Sequence, residues 1–172
     1  MPIEHGLALL IFIGRLGDVL STNFVTPTLV LEANPLVRRF KRPAYALGFL
    51  LCLVPYFDVN LGVMTAVPFL LVTASNLSRA WMARLLGERE MQALFLRAAS
   101  RGSLGMALWL AWGVAAFFAL AASILWWLAA DDAIAWYFGT GLALYGLIFA
   151  LHASFAFVRL FGSTRAQRET RA

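Results

Sequence analysis

Cysteine is all but missing. The single one, Cys52, lies in an apolar run, which excludes an intrachain disulfide and a thiolate metal cage and leaves packing as its role. Charge is scarce too: Asp, Glu, Lys and Arg make up 13% of the 172 residues, against about a quarter in an ordinary soluble domain. There is no His-Glu-x-x-His, no Cys pair, no Gly-x-Ser-x-Gly and no phosphate-binding glycine loop. No nucleophile–base set can be read, so nothing marks an enzyme and no cofactor is implied. The first apolar run lacks a basic stretch before it and is interrupted by Arg15 and Asp18, which argues against a cleavable leader. No tandem or inverted repeat is evident.

What is present is apolar. Hydrophobic residues account for 62% of the chain, and the mean hydropathy is +0.78. One soluble core of this size could not hide that much apolar surface. The fold class expected is all-α, an integral membrane bundle forming a single domain over residues 1–172. The net charge of +5 would point to nucleic acid in a soluble protein. Here the cations flank apolar runs, so topology explains them, and the partner expected is membrane lipid.

Five stretches are long enough to cross a bilayer, near 7–27, 43–58, 60–83, 104–129 and 134–159. The second is the shortest, and the tight Asp58-Val59-Asn60 turn should join it to the third as a helical hairpin. Arg38, Arg39, Lys41 and Arg42 follow the first span; Arg84, Arg89, Arg97 and Arg101 follow the third, with Arg79 in its last turns; Arg159, Arg165, Arg168 and Arg171 follow the fifth. The other side carries Glu4, Asp58, Asp131 and Asp132 and no Lys or Arg. The positive-inside rule then puts the N-terminus outside and the C-terminus in the cytoplasm, in a bacterial inner membrane. Between spans three and four, Met91, Leu94, Phe95 and Ala98 recur at helical spacing, as in a short helix lying in the cytoplasmic interface. The tail from Gly162 reads as solvated and disordered.

A few polar residues occupy costly places. Arg15 and Asp18, at i,i+3 in the middle of span one, share a helix face. A charge at the bilayer centre costs about 2.5–3.5 kcal/mol, so the two should pair, either to fix helix register or to face a wet cavity. Pro27 should kink or end the span. The stretch from Thr26 to Pro35 is too apolar for a free loop and should fold back against the bundle, with Glu32 and Asn34 turned toward the helices. Asn34 could equally cap a short helix starting at Pro35. Span three adds Thr73, Asn76 and Arg79, and span five adds Tyr145, His152 and Arg159 at seven-residue intervals. His5 and His152 stand nearly a membrane thickness apart, so they cannot clamp one haem.

Asp18, Glu32-Ala33-Asn34-Pro35 and Asn76 together resemble the pattern of small bacterial and archaeal polytopic membrane proteins. Those proteins have an Asp in the first span, a Glu-x-Asn-Pro turn after it and an Asn in a later span. The resemblance covers about the first half of the chain. It implies that Asp18, Glu32, Asn34 and Asn76 form one site, and it implies no activity.

Spans four and five carry small residues in "GSLGMALWLAWG" and "FGTGLALYG" that favour tight helix contact, within the chain, in a homo-oligomer or with other membrane subunits. Trp126, Trp127, Trp136 and Tyr137 flank the acidic turn like an outer aromatic belt. The functional expectation is a transporter or channel for a cation or proton. Asp18 and Glu32 would carry charge, Asn34, Thr73 and Asn76 would offer neutral oxygens, and Arg15 would be the counter-charge. The alternative is a non-catalytic subunit or assembly factor of a larger membrane complex, or a lipid-headgroup-binding protein.

Overall fold

The computed structural model describes residues 2–25, 41–129 and 131–169. Among them every regular element is helical: α1 (Ile3–Val25), α2 (Lys41–Phe49) running into a 3₁₀ helix (Leu50–Tyr56), α3 (Val59–Leu86), α4 (Glu88–Arg101), α5 (Leu104–Leu128) and α6 (Ala133–Glu169). Four of these, α1, α3, α5 and α6, are long and apolar enough to cross a membrane. The stretch expected as a fifth full span, near 43–58, is instead a nine-residue α-helix and a seven-residue 3₁₀ helix. Pro55 sits inside the latter, and Phe49 at the junction keeps helical angles (φ −72°, ψ −20°).

The helix starts follow from local chemistry. Asp58 accepts hydrogen bonds from the N–H groups of Asn60 (2.7 Å) and Leu61 (3.2 Å), capping α3 and closing the expected hairpin. Ser103 accepts from Met106 N–H at the start of α5. Asp132 accepts from Ile134 and Ala135 at the start of α6. Each satisfies orphan donors of a first turn. Gly87, at φ +77°, turns the chain between α3 and α4, a conformation that side chains other than glycine resist. The tail differs from expectation. α6 continues through Gly162 to Glu169, because no proline interrupts it, and the hydroxyls of Ser163 and Thr164 bond back to the carbonyls of Leu160 and Phe161.

The packing order is α1 on α3, α3 on α6 and α6 on α5, with the 3₁₀ helix wedged against α1 and α3 and with α4 beneath α3 and α6. α1 and α3 run parallel. Gly14 meets Phe69, Gly17 meets Thr73, and Phe24 lies under the Arg84 guanidinium at 5.5 Å. The α2–3₁₀ segment runs the other way beside α1: the Phe12 and Phe49 rings meet at a tilt, 5.5 Å apart, and His5 bonds the Tyr56 hydroxyl at 3.1 Å.

The buried seams are built largely of alanine, including Ala66, Ala80, Ala111, Ala122 and Ala150, while Leu, Phe and Trp side chains cover the outside. That inversion belongs to a membrane protein, in which lipid solvates the large apolar groups and close packing of small ones joins the helices. α6 shows how close. Gly146 lies against Phe118 and Ala115 of α5, and a Cβ on Gly141 would stand 2.9 Å from the Met64 carbonyl oxygen of α3. Pro68, four residues on, has no N–H to give that carbonyl. Only glycine hydrogens fit against it.

Candidate functional site

Arg15 is the thirteenth residue of α1, so its Cα lies roughly 18 Å along the helix, about midway between its ends. Its guanidinium donates from Nη1 to Asp18 Oδ2 at 2.5 Å, as the i,i+3 spacing requires. The other carboxylate oxygen, Oδ1, accepts from the Asn76 amide at 3.0 Å, 58 residues away on α3. The side chains of Arg15 and Asp18 are only 12% and 17% exposed, so both charges are largely shielded. Among the described residues the carboxylate is thus held from its own helix by Arg15 and from α3 by Asn76.

The helices can approach this closely because of what surrounds the pair. A Cβ on Gly14 would come within 3.0 Å of Phe69 Cβ, and one on Gly17 would strike the Thr73 side chain. Thr73 uses its hydroxyl to donate to the Gly14 carbonyl at 2.6 Å, which ties α1 to α3 one turn before the Asp18–Asn76 bond. Ser21, buried on α1, donates to the Asp18 carbonyl. The Arg15 head group crosses to α2, where it occupies the space that a Cβ of Gly48 would need. It lies 5.7 Å from the ring centres of both Tyr45 on α2 and Phe69 on α3. A cation so placed is attracted to both ring faces, at about 0.5–2 kcal/mol each.

Four of the six residues expected to form the site thus converge: Arg15, Asp18, Thr73 and Asn76. Glu32 and Asn34, with the whole Glu-x-Asn-Pro turn, lie outside the described residues. Other polar residues of the spans stay apart. Thr65 donates to its own helix at Leu61, Arg79 is exposed, and His152 is exposed on α6, which packs chiefly on α5 and α3. Tyr145 is buried edge-on to Phe118 in the α5–α6 seam. No group of three His, Cys, Asp or Glu that could hold a metal ion occurs among the described residues.

Gly48, Tyr45 and Phe69 complete the site without having been expected in it. Their signal is weak but present in the sequence. When span two is laid antiparallel to span one, with the Asp58 turn level with Glu4, Gly48 falls near the depth of Arg15. No protein family, no curated protein and no solved structure matches this chain.

Proposed function

We propose that the protein is a multi-pass transporter or channel of a bacterial inner membrane, in which Asp18 exchanges the Arg15 guanidinium for a cation or proton. The observation that carries this is the pairing of Asp18. A carboxylate midway along α1 is held from two helices, and Arg15 sets a positive charge against it. A proton or cation arriving at Oδ2 can replace Arg15 without leaving an uncompensated carboxylate in low dielectric. Asn76 and Thr73 add neutral oxygens within a turn of the carboxylate, the donors that hard cations take. Glu32 and Asn34 remain part of this reading on the strength of the sequence pattern.

The same reading takes five crossings. α1 and α3 run parallel, so the chain must return across the membrane between them. The α2–3₁₀ segment, at 1.5 Å and 2.0 Å per residue, reaches about 27 Å, close to the core thickness of roughly 30 Å. Counting it as a span puts the start of α2, with Lys41 and Arg42, and the arginine-bearing ends of α3 and α6 on one side, and positive-inside makes that side cytoplasmic. α4 then lies in the cytoplasmic interface. Met91 and Ala99 are buried toward the bundle, Leu94 and Phe95 are exposed to acyl chains, and Arg89, Arg97 and Arg101 are exposed at headgroup level.

The test is the melting temperature of the purified protein in mild detergent, measured against pH and against added mono- and divalent cations. Wild type should shift with pH or with at least one cation, and Asp18→Asn should not. Identical profiles for the two proteins would defeat the reading.

A further inference from the structure

We infer that the seat of the Arg15 head group is a receptor for a small planar organic cation of the guanidinium class, and that such a cation is what Asp18 takes in exchange for Arg15. This rests on the exchange reading above and names its cargo.

Three features of the seat select that chemistry. The first is shape. Gly48 leaves its Cβ position vacant, and the Nε, Cζ and Nη2 atoms of Arg15 fill it, so this wall accepts a flat group pressed against backbone. The second is the pair of ring faces, Tyr45 and Phe69, each 5.7 Å from Cζ and each on a different helix. Aromatic faces favour a delocalised, weakly hydrated cation, whereas an alkali or alkaline-earth ion needs its water replaced by six or more oxygens. The third is the distribution of acceptors. The Asp18 carboxylate stands at one end of the seat, with one oxygen open to the guanidinium and the other fixed by Asn76. Two π faces and a glycine notch beside a carboxylate suit a flat, delocalised cation such as guanidinium.

Arg15 itself is the proof of fit, because its head group is a guanidinium held there by a tether. The tether gives it a high effective concentration, so a free guanidinium must compete with it. Occupancy of the seat by cargo and by Arg15 is therefore mutually exclusive, which couples loading to movement of a charged side chain.

The experiment uses guanidinium chloride at millimolar concentration, with sodium and tetramethylammonium chlorides at matched ionic strength. Uptake of labelled guanidinium is measured in proteoliposomes, and melting temperature in detergent. Wild type should take up guanidinium and show a saturable rise in melting temperature that sodium does not produce. Asp18→Asn should do neither. Arg15→Ala should show the rise at roughly tenfold lower guanidinium, its tethered competitor gone. If Arg15→Ala does not fold, the comparison of wild type with Asp18→Asn decides alone. Stabilisation of Arg15→Ala without binding or uptake by wild type would make the seat a resting place for Arg15 and overturn the inference. Asp18-dependent movement of sodium or protons, but not guanidinium, would overturn the cargo and leave the exchange reading standing. Movement of no cation, with Asp18→Asn behaving as wild type, would remove both.

Discussion

Asp18 is worth more to this fold than its single charge implies, because each of its oxygens answers to a different helix. Asp18→Asn strands the Arg15 guanidinium in low dielectric, and breaking one side of a buried pair costs about 3–5 kcal/mol. The double change with Arg15→Gln removes both charges and should recover a good part of that loss. Unfolding in detergent, analysed as a double-mutant cycle, should give a coupling of at least ~1 kcal/mol; additive losses would mean that the pair contributes nothing jointly. Gly48 is tied to the same chemistry by space alone. Gly48→Ala forces the guanidinium from its seat, an overpacking cost of about 1–3 kcal/mol. The penalty should largely vanish in an Arg15→Ala background, and equal penalties in both backgrounds would place the clash elsewhere.

At the scale of elements, the helices are joined where side chains are missing. α3 and α6 meet at Gly141, opposite a carbonyl that Pro68 has left without its helical donor. α5 and α6 meet at Gly146. The small residues of "FGTGLALYG" are thus used within the monomer, and a Cβ on Gly139 would press on the Trp126 indole. On α5 the case differs, for Gly105 and Gly113 have open space at the Cβ position. The contrast makes a paired test by thermal denaturation. Gly141→Ala should lower stability by about 1–3 kcal/mol as α3 and α6 are pushed apart. Gly113→Ala should cost nothing, since the added methyl meets no neighbour and alanine is the better helix former. A comparable loss at Gly113 would show that this face is covered by another chain.

For the whole molecule, orientation is the property on which the rest depends. With Cys52 replaced by alanine, a cysteine introduced as Val59→Cys should react with a membrane-impermeant maleimide in intact cells. Arg168→Cys should react only after the membrane is opened. The reverse pattern would turn the molecule over and put α4 and the arginine-rich helix ends outside. That result would also undo the assignment of α4 to the cytoplasmic interface, because its arginines would no longer face the leaflet richest in anionic lipid.

Hydropathy, span length and the placement of arginines act along one dimension, so the sequence alone determined the membrane class, the helical content and the long helices. The Arg15–Asp18 pair was equally legible, because i,i+3 neighbours on a helix must meet whatever else surrounds them. The capping residues at Asp58 and Asp132 mark helix starts by local chemistry, although only the first was readable as a turn with consequence. What the tertiary structure decided lies across helices. Asn76 reaches Asp18 over 58 residues only because Gly14 and Gly17 let α1 settle onto α3. Thr73, a candidate ligand by composition, turns out to spend its hydroxyl proton on the Gly14 carbonyl. Tyr45, Gly48 and Phe69 look like ordinary apolar filling in the sequence, and they become the walls of a cation seat once α2 lies antiparallel to α1. Helix rotation and register set these contacts, and no local pattern encodes them, because in lipid the choice of which face turns inward is made by close packing between helices and not by hydrophobicity.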